Sequence, residues 1–249
     1  MPTAVIVDTI RTPLGRRNGR LKDWHPVDLA AETLRALTDR TGIDPALVDD
    51  VVMGCVMQVG EQGVNIARNA VLAAGWPETV PGTTVDRQCG SSQQAAHFAA
   101  QGVIAGAYDV VVAAGVEVMT RVPMGASIAD GKYGFPFGPK VGMRYEPLGG
   151  LVPQGISAEM IADKWGLSRE EMDAFAVRSQ TYATPARRAA QGRPALSLQR
   201  VRDGGPSHTG CRRGPGATPA LPGGHGPGRS RRVADPHRLW TTLWGVTSL

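Results

Sequence analysis

Residues 83–121 read TTVDRQCGSSQQAAHFAAQGVIAGAYDVVVAAGVEVMTR. With Gly82, the opening GTTVDRQ is a short β-branched run and predicts a strand. From Gln93 to Gly106 the chain is rich in Ala and predicts a helix able to pack closely. DVVVAAGVEVM, residues 109–119, is an apolar run bounded by polar residues and predicts a second strand. Strand, helix and strand in this order form a βαβ unit, whose strands lie parallel with the helix across one face. Cys89 stands at the corner between the first strand and the helix.

The same alternation extends toward the N-terminus. TAVIVDTI, residues 3–10, predicts a strand, followed by the Pro/Gly loop RTPLGRRNG. Between Pro26 and Thr41, Val27, Ala30, Ala31, Leu34 and Leu37 recur at three- and four-residue spacing, the pattern of an amphipathic helix. Pro26 lies in its first turn and Gly42 just past its end. DVVMGCVM, residues 50–57, predicts a buried strand. Asn65 is placed to cap a helix carrying Ile66, Ala70 and Ala73 on one face and closed by Gly75. The expected fold class is α/β: layered βαβ units around a mixed, mostly parallel sheet covered on both faces.

After residue 119 the pattern changes twice. From Thr120 to Gly155 it gives way to Gly, Pro and Met without a clear period, as in a long excursion or a small lid. Two helices follow, the first from Ser157 to Gly166. The second opens with Ser168 and Glu171 at capping-box spacing and puts Met172, Phe175, Ala176 and Ser179 on one face. Residues 184–238 then hold 11 Arg, 10 Gly and 8 Pro among 55 positions, with no Lys and no sustained period. Such a segment cannot bury enough apolar surface to offset its ordering entropy, so disorder is expected of it. The division expected is therefore 1–119 a βα domain, 120–183 a partial loop domain, and 184–249 an unstructured tail.

Charge divides at the same place. The chain carries a net +5, but residues 1–183 sum to −4 and residues 184–249 to +9. The basic character thus belongs to the tail. Three cysteines, Cys55, Cys89 and Cys211, without CxxC spacing, argue against a disulfide framework or a zinc site, and no metal is expected. The first residues lack a basic stretch before their apolar run, and no apolar stretch approaches the roughly 20 residues that span a bilayer. A soluble cytoplasmic protein is the expectation, with no membrane partner.

Cys89 admits two readings on chemistry alone. A free thiol, with pKa near ~8.5, is mostly protonated at neutral pH, and a helix N-terminus lowers that value by favouring negative charge. Gly90, Ser91 and Ser92 are small and leave room for a carbonyl to approach the sulfur. A backbone N–H at this turn could face a developing oxyanion. The other reading is an inert, buried thiol at a strand–helix corner, since free cysteines are among the most buried residues.

The wider sequence bears on this choice. RTPLGRRNGRL, GEQGVNIARNAVLAAGWP, the 83–121 stretch and GISAEMIADKWGLSREEMDAFAVRSQ together resemble, in order and spacing, the N-terminal part of thiolases, the acetyl-CoA C-acyltransferases. The resemblance covers residues 4–183, and DRQCGSSQQA is similar to the degradative 3-ketoacyl-CoA thiolases. GEQGVNIAR and SREEMDAFAVRSQ favour this family over the β-ketoacyl synthases, which share the fold and a nucleophilic cysteine. The resemblance implies a thiolase-like N-terminal domain with part of a loop domain that helps hold coenzyme A. It makes Cys89 the nucleophile that takes an acyl group from a 3-ketoacyl-CoA and passes it to CoA, with the Cys89 N–H as one oxyanion donor. It further implies acyl-CoA and coenzyme A as substrates, no permanently bound cofactor, and a homodimer or homotetramer with the strand before Cys89 near the dimer interface.

The family's remaining catalytic groups are a Gly-His-Pro histidine, a Cys-x-Gly cysteine and an Asn-Glu-Ala-Phe-like asparagine. They belong to a second domain, in a chain of about 390 residues that exceeds one core. This sequence ends at Leu249 and shows none of those motifs. The expectation is thus a chain without the C-terminal domain, holding the nucleophile apart from its activating groups and lacking the strand that follows the loop domain. The abrupt onset of Arg/Gly/Pro bias predicts a non-family terminus, such as a shifted reading frame produces. Cys211 and His225 have flanks that do not match and are chance occurrences in a biased segment. Cys55, within an apolar run, is expected in the core, and His97, two helical turns past Cys89, is expected to be a packed or interface residue. Two other functions were weighed: a non-catalytic piece that associates with thiolase subunits, and nucleic-acid binding by the tail. The Arg run lacks aromatic interleaving, so no nucleic acid is expected.

Overall fold

The computed structural model describes residues 3–191, 239–243 and 247–248. Its main sheet has five strands, all parallel: β1 (Val5–Ile10), β2 (Asp50–Gly54), β3 (Gly82–Val85), β4 (Val110–Gly115) and β6 (Leu239–Leu243). Their order across the sheet is β1-β6-β4-β2-β3. A separate two-stranded ribbon pairs β5 (Glu117–Val118) with β7 (Thr247–Ser248).

Connection handedness decides which helix covers which face. The path from β1 to β2 and on to β3 runs in one direction across the sheet, whereas β3 to β4 runs back. Right-handed crossovers therefore put α1 (Pro26–Thr41) and α2 (Ile66–Ala73) on one face and α3 (Ser91–Ala105) on the other. The alternating side chains of β2 and β4 confirm it. Val51, Met53, Val112 and Ala114 pack with Leu29, Leu34, Leu37, Ile66, Ala70 and Val71. Their neighbours Val52, Val111 and Ala113 pack with Ala95, Ala99 and Val103 of α3. The stripe of Ala95, Ala99 and Val103 at four-residue spacing lets α3 lie close to the sheet. Each fully buried Val or Leu contributes about 1.5–3 kcal/mol by removal from water.

Local sequence signals set most helix ends. The His25 Nδ1 accepts from the Val27 N–H at 3.3 Å before α1, and Gly42 closes it at φ 70°. The Asn65 side chain accepts from the Arg68 N–H at 3.3 Å, as a capping residue of α2 should. At α6 (Arg169–Gln191) the capping box forms fully: Glu171 N–H donates to Ser168 Oγ at 3.2 Å, and Ser168 N–H to Glu171 Oε2 at 2.9 Å. Across elements, Arg35 of α1 donates to the Ala73 and Ala74 carbonyls, satisfying the C-terminal end of α2.

Three sequence expectations need correction. The strand over 50–57 stops at Gly54, and that over 109–119 breaks at Val116 into β4 and β5. Helix α6 continues through Pro185 to Gln191, past the expected boundary at 183. The tail was expected to be unstructured throughout and the sheet to lack a strand. Residues 192–238 lie outside the described residues, but Leu239–Leu243 enters the sheet between β1 and β4, with Val5 and Val110 both opposite Leu239. The physical reason is local: LWTTL is aromatic and β-branched where the Arg/Gly/Pro bias stops, and two strands present open hydrogen-bonding edges to it.

Residues 123–185 form a distinct, open part of the molecule. They comprise a turn-rich stretch, α4 (Pro139–Tyr145), α5 (Gln154–Trp165) and α6. Ala162 is the buried hydrophobic residue there, while Phe135, Trp165, Phe175 and Tyr182 are exposed. Among the described residues no helix is long and apolar enough to cross a membrane.

Candidate active site

Cys89 lies in the loop from β3 to α3, at the carboxyl end of the parallel sheet. The crossover leaving β2 passes over one face and the crossover leaving β3 over the other, so a crevice opens between these strand ends. Helix α3 begins at Ser91, two residues earlier than the sequence pattern predicts, which brings Cys89 directly to its N-terminal end. The thiol is free and exposed.

The backbone around Cys89 is held in an unusual state. Gly90 N–H donates to the Arg87 carbonyl at 2.6 Å, closing a four-residue turn. Cys89 has φ 61°, whereas Gln88 is not among the positive-φ residues. That combination is the type II pattern, in which the third position normally needs Gly or Asn. A cysteine there costs of order 1–2 kcal/mol of backbone strain. The turn projects the thiol outward instead of folding it into the core. Ser91, only 6% exposed, ties the turn to the helix: its Oγ accepts from the Arg87 N–H and donates to the Arg87 carbonyl, both at 3.1 Å.

Two glycines seat this turn on the sheet. A Cβ on Gly54, at the end of β2, would lie 2.3 Å from the Ser92 nitrogen. One on Gly115, at the end of β4, would lie 1.7 Å from Ser92 Oγ. Only the missing side chains let the first turn of α3 approach both strand ends.

Beneath lies a polar network that sequence reasoning missed. The Glu117 carboxylate accepts from the Val56 N–H at 2.8 Å, the Met57 N–H at 3.3 Å and Gln62 Nε2 at 2.7 Å. Gln62, fully buried, also donates to the Met57 carbonyl at 3.0 Å and accepts from the Val118 N–H at 2.7 Å. The signal that could have found it is a carboxylate inside the apolar run GVEVM. Cys55 lies against this network in the core, as expected, with Gln62 Nε2 at 3.4 Å from its sulfur. Burial first, then the charges of Glu117 and Asp86, push its thiol pKa up to about 12. The two described cysteines thus differ sharply: Cys55 is a buried neutral thiol and Cys89 an exposed one.

His97 is exposed on α3, which corrects the expectation of a packed residue. It is eight positions along the helix from Cys89, too far along to serve it as a base. Cys211 and His225 lie outside the described residues. Among the described residues, no three His, Cys, Asp or Glu gather to hold a metal ion.

A nucleophile-type turn at this point of such a sheet agrees with the family comparison. The model of the thiolase N-terminal domain matches residues 4–192. The chain belongs to the thiolase family. The match extends nine residues beyond the resemblance read from the sequence. Among curated relatives, the steroid 3-ketoacyl-CoA thiolase FadA6 of Mycobacterium tuberculosis is 48% identical over 193 residues, covering 76% of this chain and 47% of the relative. The 3-ketoacyl-CoA thiolase of Shewanella denitrificans is 45% identical over 185 residues, 74% of this chain and 46% of that one. That of Erwinia tasmaniensis is 44% identical over 191 residues, again 76% and 47%. The chain spans about half the length of the curated relatives it matches.

Proposed function

We propose that this chain carries the acyl-accepting half-site of a thiolase-type acyltransferase, with Cys89 as the nucleophile. The observation that carries the reading is the exposed Cys89 thiol, held at positive φ at the N-terminal end of α3. Its thiolate attacks the ketone carbonyl of a 3-ketoacyl-CoA, forming a C–S bond and a tetrahedral oxyanion. Collapse breaks the C–C bond and releases acetyl-CoA, whose carbanion takes a proton, leaving the shortened acyl group as a thioester on Sγ. A second CoA thiol then takes that group and restores Cys89. Backbone N–H groups at the turn face the oxyanion, and the helix end favours the thiolate.

The relatives named as 3-ketoacyl-CoA thiolases favour the degradative direction. Residues 120–183 are read as the part of a loop domain that helps hold the CoA moiety. The histidine base of the family's Gly-His-Pro motif is not within residues 4–192. Acylation of Cys89 by an activated thioester is therefore the step this half-site performs alone, and repeated thiolysis requires the remaining groups.

Intact mass after incubation with acetyl-CoA tests the reading. One acetyl group, mapped to Cys89 and absent from Cys89→Ala, is expected; no gain, or a gain elsewhere, overturns it.

A second reading, that the chain associates with thiolase subunits without catalysis, is favoured by the exposed apolar surface around Met160, Trp165 and Phe175. Size-exclusion mobility alone and mixed with a full-length 3-ketoacyl-CoA thiolase distinguishes it. A chain that stays monomeric in both would end that reading.

A further inference from the structure

We propose that Ser91 is a positioning residue of the acyl-accepting site: its buried hydroxyl locks the turn from Arg87 to Gly90 in the one state that aims the Cys89 N–H at an acyl oxygen. The inference rests on Cys89 being the nucleophile.

A type II turn with a residue other than Gly at its third position has a ready escape. Rotating the peptide between Gln88 and Cys89 by about 180° gives a type I turn, in which Cys89 returns to negative φ and the strain disappears. That rotation keeps the Gly90 to Arg87 hydrogen bond but reverses the Cys89 N–H. Among the described residues the Cys89 N–H donates to no carbonyl of the protein, so it is available to a bound oxyanion. Its direction is set entirely by the turn type.

Something must therefore hold the less favoured state. Ser91 Oγ engages both polar groups of Arg87, accepting from its N–H and donating to its carbonyl. At 6% exposure, water does not readily take over these bonds. Ser91 is itself fixed, because the backbone of Ser91 and Ser92 is seated against Gly54. Position passes from the sheet to Ser91, from Ser91 to Arg87, and from Arg87 to the peptide that carries the donor.

Two reactions of the same sulfur separate this role from simple support. Acyl transfer from acetyl-CoA passes through a tetrahedral oxyanion and needs the donor. Alkylation by iodoacetamide is a displacement at a CH2 carbon, with iodide leaving and no oxyanion at that carbon, and does not need it. In the full chain, Ser91→Ala should lower the rate of Cys89 acetylation about 100-fold, the cost of losing one oxyanion donor. Its iodoacetamide rate should stay close to that of the native chain. Ser91→Thr, which keeps the hydroxyl, should recover acetylation. Labelling of the buried Cys55 monitors folding in each variant. Ser91→Ala acetylated at the native rate overturns the proposal and leaves the nucleophile reading standing. Equal loss of acetylation and alkylation, or labelling of Cys55, shows structural support only and also overturns it. If the native chain is not acetylated, the nucleophile reading and this inference fall together.

Discussion

Gly54 and Gly115 are register partners at the ends of adjacent parallel strands, and both lack side chains where the first turn of α3 comes down on them. The Val116 N–H donates to the Gly54 carbonyl at 3.0 Å, closing the pair. The relationship explains how a loop residue such as Cys89 is placed by the sheet rather than by its own loop.

Substitutions at the two glycines should therefore behave differently. Gly54→Ala drives a methyl into the backbone of Ser91 and Ser92 and should cost about 3 kcal/mol or more, the upper range for overpacking. Gly115→Ala meets the Ser92 side chain, so Ser92→Gly should recover part of its loss, whereas the same change should not rescue Gly54→Ala. Urea unfolding of the two double-mutant cycles measures this.

Cys89 trades stability for placement. Cys89→Gly should exceed Cys89→Ala in stability by about 0.5–1 kcal/mol, because only glycine adopts φ 61° without steric cost, offset in part by its unfolded-state entropy. The check is a higher urea midpoint for Cys89→Gly at unchanged slope. Equal midpoints would mean that the turn is not strained.

Cys55 gives the chain an alkaline liability. Its folded pKa is raised from 9.0 to about 12, so the folded state holds the proton more tightly than the unfolded chain. The stabilisation is fully present below pH 9 and is lost as pH rises toward 12. Cys55→Ala should flatten the fall in stability above pH 9 relative to the native chain, read by thermal melts at stepped pH. At pH 8, iodoacetamide should label Cys89 and spare Cys55, as peptide mapping would show.

The network around Glu117 should be costly to open. Gln62→Leu keeps the volume but strips a partner from the Val118 N–H and from the Glu117 carboxylate. A loss of roughly 2–4 kcal/mol is expected for those unpaired buried groups, as a lowered urea midpoint. A change within a few tenths would show that water replaces the amide.

Much of this molecule is encoded over spans of a few residues. Asn65, Gly42 and the pair Ser168 and Glu171 fix helix ends through bonds closed within a turn, and those were legible in the sequence. So was the strand–helix corner that carries Cys89, because apolar periodicity changes there from two to three or four residues. The nucleophile itself was legible through the family's wording around it. The burial of His97, by contrast, was misjudged, since one helix face cannot be told from another without its neighbours.

What only the tertiary structure decided depends on groups far apart along the chain. Glu117 reaches Val56 and Gln62, Gly54 meets Gly115, and Leu239 enters between Val5 and Val110. No local pattern specifies such partners, because each is chosen by strand order and by the demand that buried N–H and C=O groups be paired. The sign of φ at Cys89 belongs to the same class. Its own preference opposes that conformation, and the anchoring of Ser91 to the turn and the sheet overrides it.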